Sequence, residues 1–452
     1  MRIESRIISI AAVIILLCFV LVGASAASKT IVINFSLGEK EEAELKVYIK
    51  EKYPDCNLKV NTDMFGNAIQ DMILTRGGDA DVLMVSSKTG LLQSLIEKGF
   101  YLDMNSLPEI KEKIDSLYPQ LQALVRKDNQ IAAYPMQIEI GPIMTWNSDL
   151  AQKLMIADKP PESMLDTIEL VRAYPEVDLD GKTYTVMYDG GNNPLLLPFV
   201  QFYDLHMLSL QGELAYSTTF FKENIAAVLK LSREVDSEDG GWFLVGFVPS
   251  SSASSILSFN PRSATTYHVI PLNQERKTVV GLEANCLLIN PFTQNRGIAE
   301  AVVSWMIAHQ DPVDFMGMSP AAQQPIANPD YEKNIDDING QIEKVQAYID
   351  SPNRSLEERE IFNLQLSEKL AKKEYIEEKG AYLVSADAIK WYQEQVAPFF
   401  YTRGNTAFET DTWFRNQSSL FYQVMGGAIG TDKFIMQLDQ RARLIALEAK
   451  DD

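Results

Sequence analysis

The residues best placed to do chemistry are carboxylates set in apolar or glycine-rich surroundings. Residues 132–150 read AAYPMQIEIGPIMTWNSDL. Met136, Ile138 and Ile140 alternate with Gln137 and Glu139, and Gly141-Pro142 then interrupts the run. Alternation with a period of two marks a half-buried strand, so Glu139 lies in a segment bound for a core. A carboxylate buried there without a partner is costly, and it must reach water, a counter-charge or a ligand. Asp189 opens a second polar stretch in TYTVMYDGGNNP. Two carboxylates are the equipment of a glycosidase, but nothing else in the chain supports hydrolysis. His206, His268 and His309 stand at no metal-ligand spacing, and no phosphate loop, nucleophile elbow or paired-cysteine zinc pattern occurs. The serine-rich loop at residues 250–255 and the loop at residues 190–193 offer hydroxyls and amides suited to a polar ligand. These residues point to binding rather than catalysis. No catalytic residue, cofactor or metal is expected.

The elements that must position these groups follow a regular alternation. KTIVINFS, NLKVNTD and DVLMVSS read as strands, separated by helices in EKEEAELKVYIKEKYP and GNAIQDMILTRGGDA and followed by one in TGLLQSLIEKGFYLDM. Strands alternating with helices predict a parallel sheet with crossover helices. Ligands in such sheets sit at the carboxyl ends of the strands, which directs attention to residues 35–39, 63–67 and 86–88. Further on, strands are expected in TYTVMY, GWFLVGFV, TTYHVIPL and ANCLLIN, with helices in FFKENIAAVLKLSREV and NRGIAEAVVSWMIAHQ.

Residues 331–379 have a different pattern. Ile335, Ile338, Ile342, Val345 and Ile349 are spaced three and four apart, which sets them on one helical seam. Pro352 stops that helix. Ser355 with Glu358 is a capping box that starts another, whose apolar face holds Phe362, Leu366 and Leu370 and which Gly380 ends. A helical hairpin attached to the body is predicted, either as packing or as a docking surface.

The chain of 452 residues exceeds one ordinary core, so at least two lobes are expected. With 61 acidic and 41 basic residues the formal net charge is −20, which argues against nucleic acid as a partner. Arg2 and Arg6, an apolar run from Ile7 to Val22, and Ala24-Ser25-Ala26 form an export signal. Cleavage, retention as an anchor and lipid attachment at Cys18 remain open, although Leu16-Leu17 before that cysteine does not suit lipidation. Cys56 and Cys286 are either a disulfide or two buried thiols.

Several stretches, in order, resemble the sugar-binding, maltose-binding-like branch of the extracellular solute-binding proteins of ABC importers. They are RGGDADVLMVSSKTGLLQSLIEKGFYLDM, NQIAAYPMQIEIGPIMTWNSDL, HVIPL with VVGLEANCLLINPFTQNRGIAEAVVSWMI, and TWFRNQSSLFYQVMGGAIGTDKFIMQLDQRARLIALE. The resemblance covers nearly the whole chain after the signal, apart from the hairpin. It implies an α/β, two-lobed periplasmic-binding-protein type II fold (a Venus flytrap) with hinge strands and an inserted helical hairpin. The implied division is a signal peptide at 1–26, lobe one at 27–140, lobe two at 141–270, a return to lobe one at 271–330, the hairpin at 331–380, and C-terminal helices at 381–452 on lobe two and the hinge.

By the same resemblance Glu139 accepts hydrogen bonds from sugar hydroxyls. Ser86, Ser87 and Lys88, together with Phe35, Ser36 and Glu39, belong to strand-end loops facing the cleft. Tyr188, Asp189 and Asn192 belong to the second lobe's cleft loop. Ser250 and Glu283 complete the set, with Trp242 and Trp413 as stacking aromatics. At Pro249 and Ser250 this chain lacks the aromatic platform of the maltose-binding type, which speaks against maltodextrin itself. The resemblance implies an exported monomer that binds a small carbohydrate and docks on permease subunits. A peptide, polyamine or anion binder, for which Arg76 and Arg262 are available cations, and a cell-surface scaffold with an empty cleft are the alternatives.

Overall fold

The structure, a computed structural model, describes residues 29–451 except 64–65, 157–158, 175, 180–181, 188–194, 235–242, 262–264, 353 and 403–410. Two sheets organise it. The strands of the first are β1 (Lys29–Ile33), β2 (Cys56–Val60), β3 (Val82–Ser86) and β4 (Tyr134–Gly141). The chain then enters the second sheet as β5 (Ile143–Asn147), β6 (Glu176–Leu179), β7 (Lys182–Met187) and β8 (Phe243–Val248). It returns briefly to the first as β9 (Ser251–Ser252), visits the second as β10 (Thr265–His268), and closes the first with β11 (Val280–Ile289) and β12 (Phe400–Thr402). The first sheet has the order β9-β4-β11-β3-β1-β2, with β12 also on β11; the second has the order β10-β5-β8-β7-β6.

The predicted parallel arrangement holds for β1 with β2 and β3. It fails at β11, which runs antiparallel to both β3 and β4. The reason is topological. β3 and β4 approach the second sheet, whereas β11 arrives from it and runs the other way.

Each sheet anchors its own core. Ile143 belongs to the first core and Met144 to the second, so the lobe boundary falls within β5. Ile270 and Leu272 pack in the second core and Val280 in the first, which leaves residues 273–279 as a crossover. Among the described residues, three stretches thus pass between lobes: β4 to β5, β8 to β9, and β10 to β11. Two segments divide differently from the expected boundaries. Ala253, Ile256 and Leu257 join the first core, and so does the helix Ala386–Gln395 through Ile389 and Tyr392. The later helices Asp411–Met425 and Thr431–Asp451 supply Leu420, Phe421, Phe434 and Leu438 to the second.

At the crossing the backbones lie almost in contact. Gly141 of β4 pairs with Gly281 of β11, and the Gly141-Pro142 peptide is cis. A Cβ at Gly141 would overlap the Pro249 carbonyl, and one at Gly281 would meet the Gly141 oxygen at 2.8 Å. Both positions therefore need glycine for close approach, although neither has a positive φ.

The helices α1 (Glu39–Lys52), α2 (Leu196–Gln211), α3 (Arg296–Ala308) and α4 (Pro312–Met318) frame the lobes, and α5 (Tyr331–Ile349) with α6 (Leu356–Lys379) forms the predicted hairpin. Ser355 and Glu358 make the capping box. Paired strands Ile326–Ala327 and Tyr382–Val384 clamp the hairpin's base on the lobe-one side. Cys56 and Cys286 are separate buried thiols.

Gly141→Ala is expected to lower stability by about 1–3 kcal/mol, because a neighbouring crossover must shift to admit the methyl group. Gly297→Ala, with open space around its Cβ, is expected to change little. Equal denaturant midpoints for the two variants would contradict this account of the hinge.

Candidate functional site

Glu139 occupies the position that its strand pattern demanded, two residues before the hinge glycine. It is half-buried, and its Oε2 accepts a hydrogen bond of 2.7 Å from the Ser250 hydroxyl on the next crossover. Its register partner on β11 is Glu283. Carboxylates placed directly opposite one another repel, and the structure answers with Lys88, whose Nζ lies 3.6 Å from Glu283 Oε2. That oxygen is buried and has no hydrogen bond. Lys88 is held in place by the short turn Ser87–Thr89 at the end of β3. The Ser86 hydroxyl accepts from the Lys88 N–H at 3.2 Å, and the buried Ser87 hydroxyl accepts from the Ala284 N–H at 2.9 Å. Glu139, Glu283, Lys88 and Ser250 are therefore brought together at the floor of the hinge, with Ser86 and Ser87 serving as their scaffold.

Two residues farther from the paired glycines on each strand, Gln137 and Asn285 are also register partners. Residues two apart share a face, so this pair continues the polar face away from the hinge and into a cavity of about 570 Å³. Phe35 and Ser36 line the cavity from the carboxyl end of β1. Trp305 and His309 enter from the end of α3, stacked at 4.0 Å, and Asp311 and Asp314 enter from the start of α4. Gln137 Nε2 reaches Asp314 Oδ1 at 3.5 Å. Burial pushes the Asp314 carboxyl up; hydrogen bonds from Ser254 and Gln137 oppose the shift and the Asp311 charge adds to it. Among the described residues no Lys or Arg lines this cavity. Its amides, carboxylates and indole can take hydroxyls and the C–H face of a polyol.

Sequence reasoning reached this site only in part. Glu39 is exposed in the first turn of α1 and lines no described cavity, whereas Glu41 does. Tyr188, Asp189, Asn192 and Trp242 lie outside the described residues. Trp413 falls on the helix Asp411–Met425, its side chain outside the described part. Gln137, Asn285, Trp305, His309, Asp311 and Asp314 were missed. The first two could have been found by extending the period-two pattern from Glu139 and Glu283. The other four gave no signal before α3 and α4 packed over the sheet.

These features define a two-lobed α/β fold whose lobes meet across a polar hinge. No protein-family model matches the chain, and no curated protein matches its sequence. Solved structures do match the fold. An ABC transporter solute-binding protein from Agrobacterium radiobacter K84, in complex with ribitol, aligns with a TM-score of 0.53 at 12% identity, covering 93% of this chain and 99% of that one. Maltose-bound MalE3 of T. maritima gives 0.52 at 11% identity, covering 92% and 99%. The cyclic α-maltosyl-1,6-maltose binding protein of Arthrobacter globiformis gives 0.52 at 11% identity, covering 92% and 98%. The chain has the two-lobed fold of these solute-binding proteins.

Two outcomes are expected. Lys88→Met strands the Glu283 carboxylate and should cost about 1–2 kcal/mol in chemical denaturation; adding Glu283→Gln should recover most of the loss, and a double variant no better than the single one would remove Lys88 from this role. Asp314→Asn should raise the melting temperature at pH 7, because the raised carboxyl destabilises the fold once it is ionised. Below the ordinary value of 3.8 the acid is neutral in both folded and unfolded chains, and the advantage should vanish there.

Proposed function

We propose that this protein is the substrate-binding component of an ABC importer and captures a carbohydrate in the cleft between its lobes. The observation that carries the reading is the polar face of lobe one, which runs from the Glu139–Glu283–Lys88 cluster at the hinge into the aromatic and amide-lined cavity. Carboxylates and amides at the hinge-side ends of the strands hold hydroxyl groups, and Trp305 and Phe35 supply apolar contact. The fold's neighbours support it, since their own ligands are ribitol, maltose and a cyclic maltosyl sugar.

The mechanism is hinge closure. Ligand binds lobe one, the second lobe closes over it, and contacts to both lobes favour the closed form, which the permease then receives. In this reading residues 1–26 export the chain to the cell surface or periplasm, it acts as a monomer, and Tyr188, Asp189, Asn192, Trp242 and Trp413 complete the site from lobe two.

Thermal unfolding against mono- and oligosaccharides, polyols, polyamines and short peptides tests the proposal. A true ligand at 100 times its dissociation constant should stabilise by about 2.7 kcal/mol, and Glu139→Ala should abolish most of that shift while leaving the apo protein folded. A polyamine or peptide hit would keep the hinge mechanism and replace the substrate class. Silence across the panel would sink the importer reading.

A further inference from the structure

A second cavity, of about 500 Å³, lies in lobe two between α2 and the crossover of residues 273–279. Tyr203 and His206 line it from α2, Thr218 from the chain beyond, and Glu275, Arg276 and Lys277 from the crossover. Its character differs from that of lobe one's cavity, and two observations set it apart. His206 is only 4% exposed, and its Nδ1 has no hydrogen-bond partner. Arg276 lies 4.1 Å over the Phe220 ring, and neither it nor Lys277 pairs with a carboxylate among the described residues. Arg276 is half-buried and Lys277 exposed, so both cations are open to solvent beside an imidazole whose Nδ1 has no partner. A buried polar atom without a partner costs free energy, and a guanidinium fork matches an oxyanion.

We propose that this cavity is a binding site for a small phosphate- or sulfate-class oxyanion, held by Arg276, Lys277 and the His206 imidazole. Burial, with the Arg276 charge adding, pushes His206 down to about 4, so at neutral pH the ring is uncharged and offers one N–H donor. Glu275 opposes the anion, leaving two cations against one acid. The Tyr203 hydroxyl is already engaged with the Ala215 carbonyl and Thr218, so it shapes the wall. The position gives the site its consequence. Leu272 is anchored in the second core and Val280 in the first, so the segment that carries Arg276 is one of the hinge crossovers. An anion bound between it and α2 fastens that crossover to lobe two.

The chain contains three histidines, so their ring C–H resonances can be followed one by one and assigned with His206→Gln. Titrating the purified protein at pH 7 with inorganic phosphate, at constant ionic strength set with chloride, should move the His206 signal saturably and leave His268 and His309 still. Arg276→Gln should weaken that binding roughly tenfold or more, and Lys277→Gln less. A phosphate monoester that binds as well as the free ion would assign the site to phosphorylated metabolites; preference for the free ion would assign it to inorganic phosphate. An unmoved His206 in wild-type protein overturns the proposal, as does unchanged affinity in folded Arg276→Gln; should that variant not fold, unchanged affinity in Lys277→Gln does so. None of these readouts depends on a sugar in the cleft, so the two proposals fail separately.

Discussion

The constraint on which the rest depends is the contact of bare backbones at the crossing, where Gly141 faces Gly281 and the Pro249 carbonyl lies against the first. Side chains there would force the crossovers apart. The close approach also fixes what lies beside it. Strand geometry sets Glu139 and Glu283 opposite each other two residues from the paired glycines, so two like charges face each other at the pivot. Lys88 and the Ser250 hydroxyl offset that repulsion, and they do so from two separate chain segments. The polar cluster is thus partly a consequence of the hinge: it ties the crossovers together in the absence of ligand and presents acceptors that a ligand's hydroxyls can use.

A site of this kind must be stable enough to persist empty and incomplete enough to bind. The lobe-one face meets both demands by dividing labour among its polar groups. Asn34, Ser86, Ser87 and Gln310 spend their hydrogen bonds on the backbone or on neighbouring side chains, which holds loops and strands in register. Glu283 keeps a buried oxygen without a hydrogen bond, and Asp314 keeps a carboxyl that burial disfavours as an anion. Such groups lower stability in the free protein. Their compensation is that a donor from a ligand meets an acceptor already stripped of water.

How much of this was legible in the sequence follows from the range over which each feature is determined. The capping box at Ser355, the seam of α5, the break at Gly141-Pro142 and the alternation around Glu139 are local, and each appears where expected. The direction of β11 is not local. It depends on which lobe the preceding strand occupies, and VVGLEANCLLIN reads alike in either direction. The same reasoning separates Gln137 from Asp314: the first lies on the strand that exposed Glu139, whereas the second becomes a neighbour only after α4 folds back over that strand. Glu39 was chosen for its loop position, but the helix begins at that residue and turns it into solvent, bringing Glu41 round to the cavity.

The hairpin has a far end and a base with different surroundings. Little of its apolar surface is buried: within α5 and α6 only Ile338 and Ile376 are, Tyr348 stacks on Phe362 at 5.3 Å, and Leu356, Ile361, Leu364 and Leu370 are exposed. Its far end is thus a local unit. Its base is not. Tyr375 stacks at 5.4 Å on Phe259, just beyond the Ala253–Leu257 helix of the first core, and its phenol is pushed up by burial and then by the charge of Asp149 on the lobe-two helix Ser148–Leu154. The base of the insertion therefore packs on the first lobe, with a carboxylate of the second lobe near the Tyr375 phenol.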